Sequence, residues 1–211
     1  MIIVLDADGV LLDYNQKMAD ICEKALGIKL GKMKHFHHFT NAANFKMTKL
    51  QAKEVFALFD IQGWNSMPAI EGSVEACKAL HQAGHQLVCL SSMPERFIKD
   101  RQANLLNLGM PVEKVIGSGR DDSETNPKAA HLQEIRPDIF VDDQLRNFQN
   151  IPSNICKVWI DHRYSDCPNL GMDRSIADFR FLSLHEFSLE FFNNPHQFKK
   201  INKSKFDKKK C

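Results

Sequence analysis

A chain of 211 residues that is 43% hydrophobic and 26% charged has the make-up of a globular protein, one domain or one domain carrying an inserted lobe, which excludes disorder over the whole length. The net charge of +2 gives no global reason for nucleic acid or an anionic membrane as partner. The six cysteines form no CxxC pair and show no zinc-finger spacing, MIIVLDADG reads as a strand rather than a signal peptide, and no window approaches the ~20 apolar residues of a membrane span, so a reducing cytoplasm is the expected setting.

The first apolar run, Ile2 to Leu5, leads into Asp6-Ala7-Asp8-Gly9 and predicts a strand. Met18, Ile21, Cys22, Ala25 and Leu26 then recur at helical spacing from Asn15 to Leu26, and Thr48-Lys49-Leu50-Gln51 is a capping box opening a helix through Phe59. Glu71 to Gln82 carries Val74, Cys77 and Leu80 and stops at Gly84. A strand from Gln86 to Leu90 reaches Ser91-Ser92, with Ser92 in the N-cap region of a helix from Pro94 to Leu108. Val112 to Ile116 predicts the next strand, and Asn126-Pro127-Lys128 reads as N-cap, N1 proline and first-turn lysine of a third helix. Asp138 to Val141 runs into Asp142-Asp143, and Lys157 to Ile160 into Asp161. After Asn193-Asn194-Pro195 the composition turns to lysine.

Short, continuous apolar strands alternating with helices predict a doubly wound parallel α/β sheet, Rossmann-like, with helices on both faces. A βαβ crossover needs on the order of 30 residues, far fewer than separate Ile2 from Gln86. The surplus is helical in pattern and predicts a small helical cap at 15–67, leaving a core at 1–14 and 68–192 and a lysine-rich tail at 193–211.

Ligands of open parallel sheets bind beyond the carboxyl ends of the strands. The residues expected there are Asp6, Asp8, Ser91, Asp142 and Asp143, with Lys128 opening the helix that leads into the Asp142 strand. Four carboxylates cannot share a site ionised without a compensating cation. Oxygen donors without cysteine suit Mg²⁺ rather than Zn²⁺. A carboxylate that can attack phosphorus, a hydroxyl that can donate to phosphoryl oxygens and a lysine that can neutralise developing charge fit phosphoryl transfer.

Asp6-Ala7-Asp8-Gly9-Val10, Ser91, Lys128 and Asp142-Asp143 resemble, in order, the four motifs of the haloacid dehalogenase (HAD) superfamily, and Pro68 and Gly72 fit the approach to its first core helix. The resemblance implies a phosphatase working through an aspartyl-phosphate. It makes Asp6 the nucleophile and Asp8 the acid and base, with the Asp8 backbone carbonyl on Mg²⁺. It implies that Ser91 and Lys128 hold the phosphoryl group; Ser92, read by its place as structural, has a backbone N–H that can face phosphate. Asp143 would ligate the metal directly and Asp142 through water. Where the family often has a further acid, this chain has Asn147, which can orient a metal-bound water but adds no charge.

An acid two residues after the nucleophile serves an alkoxide leaving group and is of no use to a departing halide, so Asp8 favours phosphate esters over haloalkanoates. The expected partner is a small phosphorylated metabolite or nucleotide, with no membrane or nucleic acid. The alternatives are a phosphomutase and a catalytically silent binding protein of the same fold.

Other residues read less sharply. Lys34-His35-Phe36-His37-His38-Phe39 lacks carboxylate or cysteine partners for a metal, while His37, Asn41, Asn44 and Phe45 are candidates for contacting the substrate beyond its phosphate. Arg96 is a solvated helix arginine or a second anion contact, and His162, Arg163 and Tyr164 follow a strand end where they could line the rim. The lysine tail reads as a solvated end.

Overall fold

The computed structural model describes residues 1–27, 48–119, 126–163 and 169–199. The expected positions His37, Asn41, Asn44, Phe45 and Tyr164, the run 34–39 and the tail from 200 onward lie outside them. Six strands form one sheet: β1 (Ile2–Leu5), β2 (Gln86–Ser91), β3 (Lys114–Gly117), β4 (Ile139–Asp142), β5 (Cys156–Ile160) and β6 (Phe179–Phe181). Their order is β3-β2-β1-β4-β5-β6 and every pairing is parallel. The chain moves outward from β1 to β3, then returns to the other side of β1 for β4. The β1–β4 boundary is therefore the topological switch point, where the crossovers diverge and leave a crevice at the carboxyl ends.

The strands read as unbroken apolar runs because both faces are covered, and alternate residues enter different layers. Ile3, Leu5, Leu87, Cys89, Ile139, Val141, Val158 and Ile160 join one buried cluster, while Val4, Val88, Leu90, Phe140 and Trp159 join the other. The first layer includes α3 (Ser73–Gln82), α4 (Ile98–Asn107) and α6 (Leu184–Asn193); Leu132 of α5 (Ala129–Ile135) belongs to the second.

Between β1 and α3 lie α1 (Tyr14–Leu26) and α2 (Lys49–Gln62). Asp13 caps α1 by accepting from Gln16 N, and Thr48 with Gln51 forms the expected capping box on α2. The helices meet through Tyr14 and Phe59, ring centroids 4.9 Å apart. Met18, Ile21, Cys22, Val55 and Phe59 belong to the same buried cluster as the sheet residues, so the described part of the insertion shares the core of the sheet.

Local details differ from the sequence reading. The chain at Pro94 is extended (ψ 137°), so helix starts only with a 3₁₀ turn at Glu95–Phe97, and Ser92 caps nothing. The third helix begins at Ala129 rather than Pro127, and the Asn126 side chain accepts from Lys128 N in a turn ahead of it. β6 and α6 had no separate signal: β6 is three residues, and Ser183 caps α6 by accepting from Glu186 N. Packed chain also continues past the expected core boundary at 192. Phe198 is fully buried against Phe179, Phe187 and Phe191, with ring centroids 4.6, 5.4 and 5.5 Å away. Among the described residues no helix is long and apolar enough to cross a membrane. Emptying the Phe198 position should open a core cavity, and Phe198→Ala is expected to lower unfolding free energy by about 3 kcal/mol in a denaturant titration.

Candidate active site

The site forms where β1 and β4 lie side by side. Asp6 follows the last residue of β1, and its N–H donates to the Val141 carbonyl at 2.9 Å, so its position is set by the neighbouring strand. Asp142 ends β4 and Asp143 follows it. One carboxylate oxygen from each of Asp6, Asp142 and Asp143 lies within 4.8 Å of the others, and all three residues are buried.

Lys128 threads into this cluster. Its ammonium is buried and lies 2.7 Å from Asp6 Oδ1 and 2.7 Å from Asp142 Oδ2. A lysine at the start of a helix works against the helix dipole, and these two carboxylates are the anions that compensate it. Burial acts to deprotonate the amine, but the flanking Asp142 and Asp6 outweigh it and hold the pKa above the ordinary lysine value.

The three carboxylates are not equivalent. Asp142 is saturated: it accepts from Lys128, from Gln144 N at 2.8 Å and from Asn147 Nδ2 at 2.9 and 3.0 Å. Asn147, expected to orient a metal-bound water, thus spends its amide N–H on fixing Asp142. Asp6 Oδ1 takes both Lys128 and Ala7 N (2.7 Å), while Oδ2 makes no hydrogen bond to a described residue. Asp143 is held by its backbone, where Trp159 Nε1 and Asn169 Nδ2 donate to its carbonyl at 3.0 and 2.8 Å. Its side-chain Oδ1 is buried with no partner among the described residues. Burial, then Asp142 and Asp6, push the Asp143 pKa well above the usual carboxylate range. Burial also pushes Asp6 up, to about 7, with Lys128 opposing and Asp142 and Asp8 adding to it.

An orphaned, buried carboxylate oxygen beside two other acids, with Lys128 as the one cationic side chain paired with the cluster among the described residues, is a donor set that a hard divalent cation fits. Gly9 keeps the space open. Its φ is +88°, and a Cβ there would stand 2.5 Å from Asp143 Oδ2.

The other expected residues sit around this centre. Ser91 ends β2, with its Oγ buried and unpartnered among the described residues, and Ser92 is half-buried beside it. The Asp8 carboxylate is outside the three-acid cluster and faces Arg101, whose Nη2 donates to Oδ1 at 2.8 Å. Arg96 takes the solvated role: it pairs with Asp60 of α2 at 3.2 Å on the surface. His162 Nε2 lies 2.7 Å from the Gly9 carbonyl and braces the loop after β1, while the Arg163 N–H turns back to Asp161 Oδ1.

Arg101 and Asn169, outside the sequence reading, and Asn126, read there as an N-cap, complete the frame. Arg101 is an interior arginine of a helix and gives no local signal of burial. Asn169 holds both Leu145 N and the Asp143 carbonyl, and Asn126 ties the Lys128 turn to the Asn147 and Gln149 carbonyls. Asparagine followed by proline marked 126 as a helix cap, but gave no sign of the turn it forms or of its partners across the chain.

The carboxyl shifts carry a pH signature. Without metal, the folded chain retains protons on Asp6 and Asp143 that the unfolded chain has lost. Stability should therefore fall as pH rises from about 4 to about 7. A divalent cation, which binds the ionised forms, should raise the melting temperature increasingly over the same window. Asp143→Asn should flatten the metal-free slope and abolish the cation's effect, with a metal-free melting temperature higher by on the order of 5 °C near neutral pH. Calorimetric scans with Mg²⁺ and with chelator, across pH, check all three.

Neither protein-family models nor curated proteins match the sequence. Solved structures do match the fold. A HAD-family hydrolase of Deinococcus radiodurans R1, solved with bound phosphate and sodium, superposes with a TM-score of 0.62 at 15% identity over 93% of this chain and 96% of its own. A predicted phosphoglycolate phosphatase of Haemophilus somnus 129PT gives 0.62 at 16% identity over 90% and 97%. The L-2-haloacid dehalogenase of Xanthobacter autotrophicus gives 0.57 at 12% over 92% and 98%. The motif order and the strand order thus point the same way, and the chain has the α/β fold of the haloacid dehalogenase superfamily.

Proposed function

We propose that this protein is a Mg²⁺-dependent phosphomonoester hydrolase for a small phosphorylated metabolite or nucleotide. The observation that carries the reading is the buried trio Asp6, Asp142 and Asp143, which pairs with one lysine among the described residues, so that all three acids can ionise together only beside a further cation. Asp6 and Asp143, with the Asp8 carbonyl, would hold the ion. Bound Mg²⁺ would supply positive charge to the phosphoryl oxygens and to the attacking carboxylate.

The chain's own groups divide the remaining work. Lys128 and Ala7 N pin Asp6 Oδ1, which leaves Oδ2 as the oxygen to attack. As the Oδ2–P bond forms, the ester P–O bond breaks and its electron pair leaves on the alcohol oxygen, which takes a proton from Asp8. Asp8, now ionised, then removes a proton from water, whose oxygen attacks phosphorus. Inorganic phosphate leaves and the Asp6 carboxylate is restored. Ser91 Oγ, unpartnered in the described structure, would donate to a phosphoryl oxygen, and the Ser92 N–H would lie beside it. Lys128 would hold the phosphoryl group through its remaining donor capacity. The helices inserted at 15–67 would act as the cap that excludes water from the reaction.

Fold neighbours include dehalogenases as well as phosphatases. Asp8 favours the ester, because a halide departs without a proton. The test is phosphate release from a panel of phosphorylated metabolites with Mg²⁺ or chelator, run beside Asp6→Asn. Wild-type protein with Mg²⁺ should release phosphate from at least one ester. Chelator or Asp6→Asn should cut the rate by roughly 10³-fold or more. Isomerised ester without free phosphate would mark a mutase, and release insensitive to Asp6→Asn would overturn the mechanism.

A further inference from the structure

Arg101 is an arginine with no exposed surface, in the middle of α4. Its Nη2 holds Asp8 Oδ1 at 2.8 Å, its Nη1 lies 3.1 Å from Met67 Sδ, and its guanidinium carbon stands 5.3 Å from the Trp64 ring centroid. Nε has no partner. Three residues along the same helix face, Asn104 clasps the Met67 backbone, accepting from its N–H at 2.9 Å and donating to its carbonyl at 3.0 Å. Trp64 in turn packs edge-on against Phe59 of α2 (5.0 Å) and stacks with Phe97 (5.1 Å). One guanidinium thus touches both the acid after β1 and the segment by which the chain returns from the inserted helices.

Such an arrangement is a poor device for stability alone. Desolvating a guanidinium offsets what its ion pair contributes, and an apolar side chain of similar volume commonly does as well. The pair instead fixes geometry. With Oδ1 occupied, Oδ2 of Asp8 makes no hydrogen bond to a described residue, and the side chain keeps 28% of its surface exposed. An unpaired Asp8 could rotate about its side-chain torsions, including toward the Asp143 side.

We propose that Arg101 is a positioning residue for Asp8: it holds Oδ1 so that Oδ2 is presented for proton transfer, and it anchors that orientation to Trp64 and Met67. This rests on the reading of Asp8 as the proton donor to a departing alcohol. Misplacing a catalytic group by about 1 Å can cost on the order of 10²-fold, within the range that general acid catalysis contributes.

The test compares kcat/KM, which reports transfer to Asp6 and not the later hydrolysis, for two esters of similar shape. Benzyl phosphate releases an alcohol that needs a proton, whereas p-nitrophenyl phosphate releases a phenolate that does not. Arg101→Met should lower kcat/KM about 100-fold for the benzyl ester and less than about 5-fold for the nitrophenyl ester. Arg101→Lys, which keeps a buried charge but loses the forked donor, should fall between and carries the test if the methionine variant does not fold. In an Asp8→Asn background, Arg101→Met should change neither ester further. Equal losses for both esters, or a selective loss that persists without Asp8, would overturn the proposal and leave the hydrolase reading standing. Wild-type protein that releases phosphate from neither of these esters nor from any ester of the metabolite panel would count against the hydrolase reading itself, and this inference would fall with it.

Discussion

Everything at this site is arranged around one ammonium group between two carboxylates. Lys128 reaches Asp6 on one side and Asp142 on the other at equal distances, and it does so in the interior. Buried charges persist only when paired and hydrogen-bonded, and here the pairing is incomplete by design of the donor count. Among the described residues one lysine is paired with the cluster of three acids, and oxygens of both Asp6 and Asp143 are left without a hydrogen bond. The donor set left at the site is one that a hard divalent cation fits.

The sheet topology makes that crowding possible. Asp6 and Asp142 could not approach so closely were β1 and β4 not adjacent, and they are adjacent because the chain reverses direction across the sheet after β3. The same reversal opens the crevice in which the acids sit. Backbone contacts then hold them against repulsion: Val141 fixes Asp6, while Trp159 and Asn169 fix Asp143 through its carbonyl. Gly9 leaves the space into which any side chain would intrude. The strain of assembling like charges is borne by the scaffold, which leaves individual oxygens of Asp6 and Asp143 uncommitted.

Much of this was legible in the linear chain. Apolar runs that end in aspartate or serine announced the strands and the residues at their carboxyl ends, and the spacing between the first two strands announced the inserted helices. Other features had no such signature. Phe179-Arg180-Phe181 is too short a run to separate from loop, and its strand character comes from pairing with β5. Phe198 lies among polar and lysine residues, yet it is buried because four aromatic rings surround the place where the chain happens to pass. Asn147 looked like a weakened metal position, and only its distance to Asp142 shows it as a brace.

What the sequence determined by itself was the inventory of chemistry and its approximate place: acids and a hydroxyl at strand ends, a lysine at a helix start, a parallel α/β sheet to carry them. These follow from local periodicity and from turn chemistry, which act over a few residues. What only the tertiary structure decided was the pairing. Lys128 chose Asp6 and Asp142, Asp8 turned to Arg101 across 93 positions of sequence, and Asp143 Oδ1 was left without a partner among the described residues. Electrostatic and hydrogen-bond partners are selected by distance in space, to which separation along the chain gives no guide.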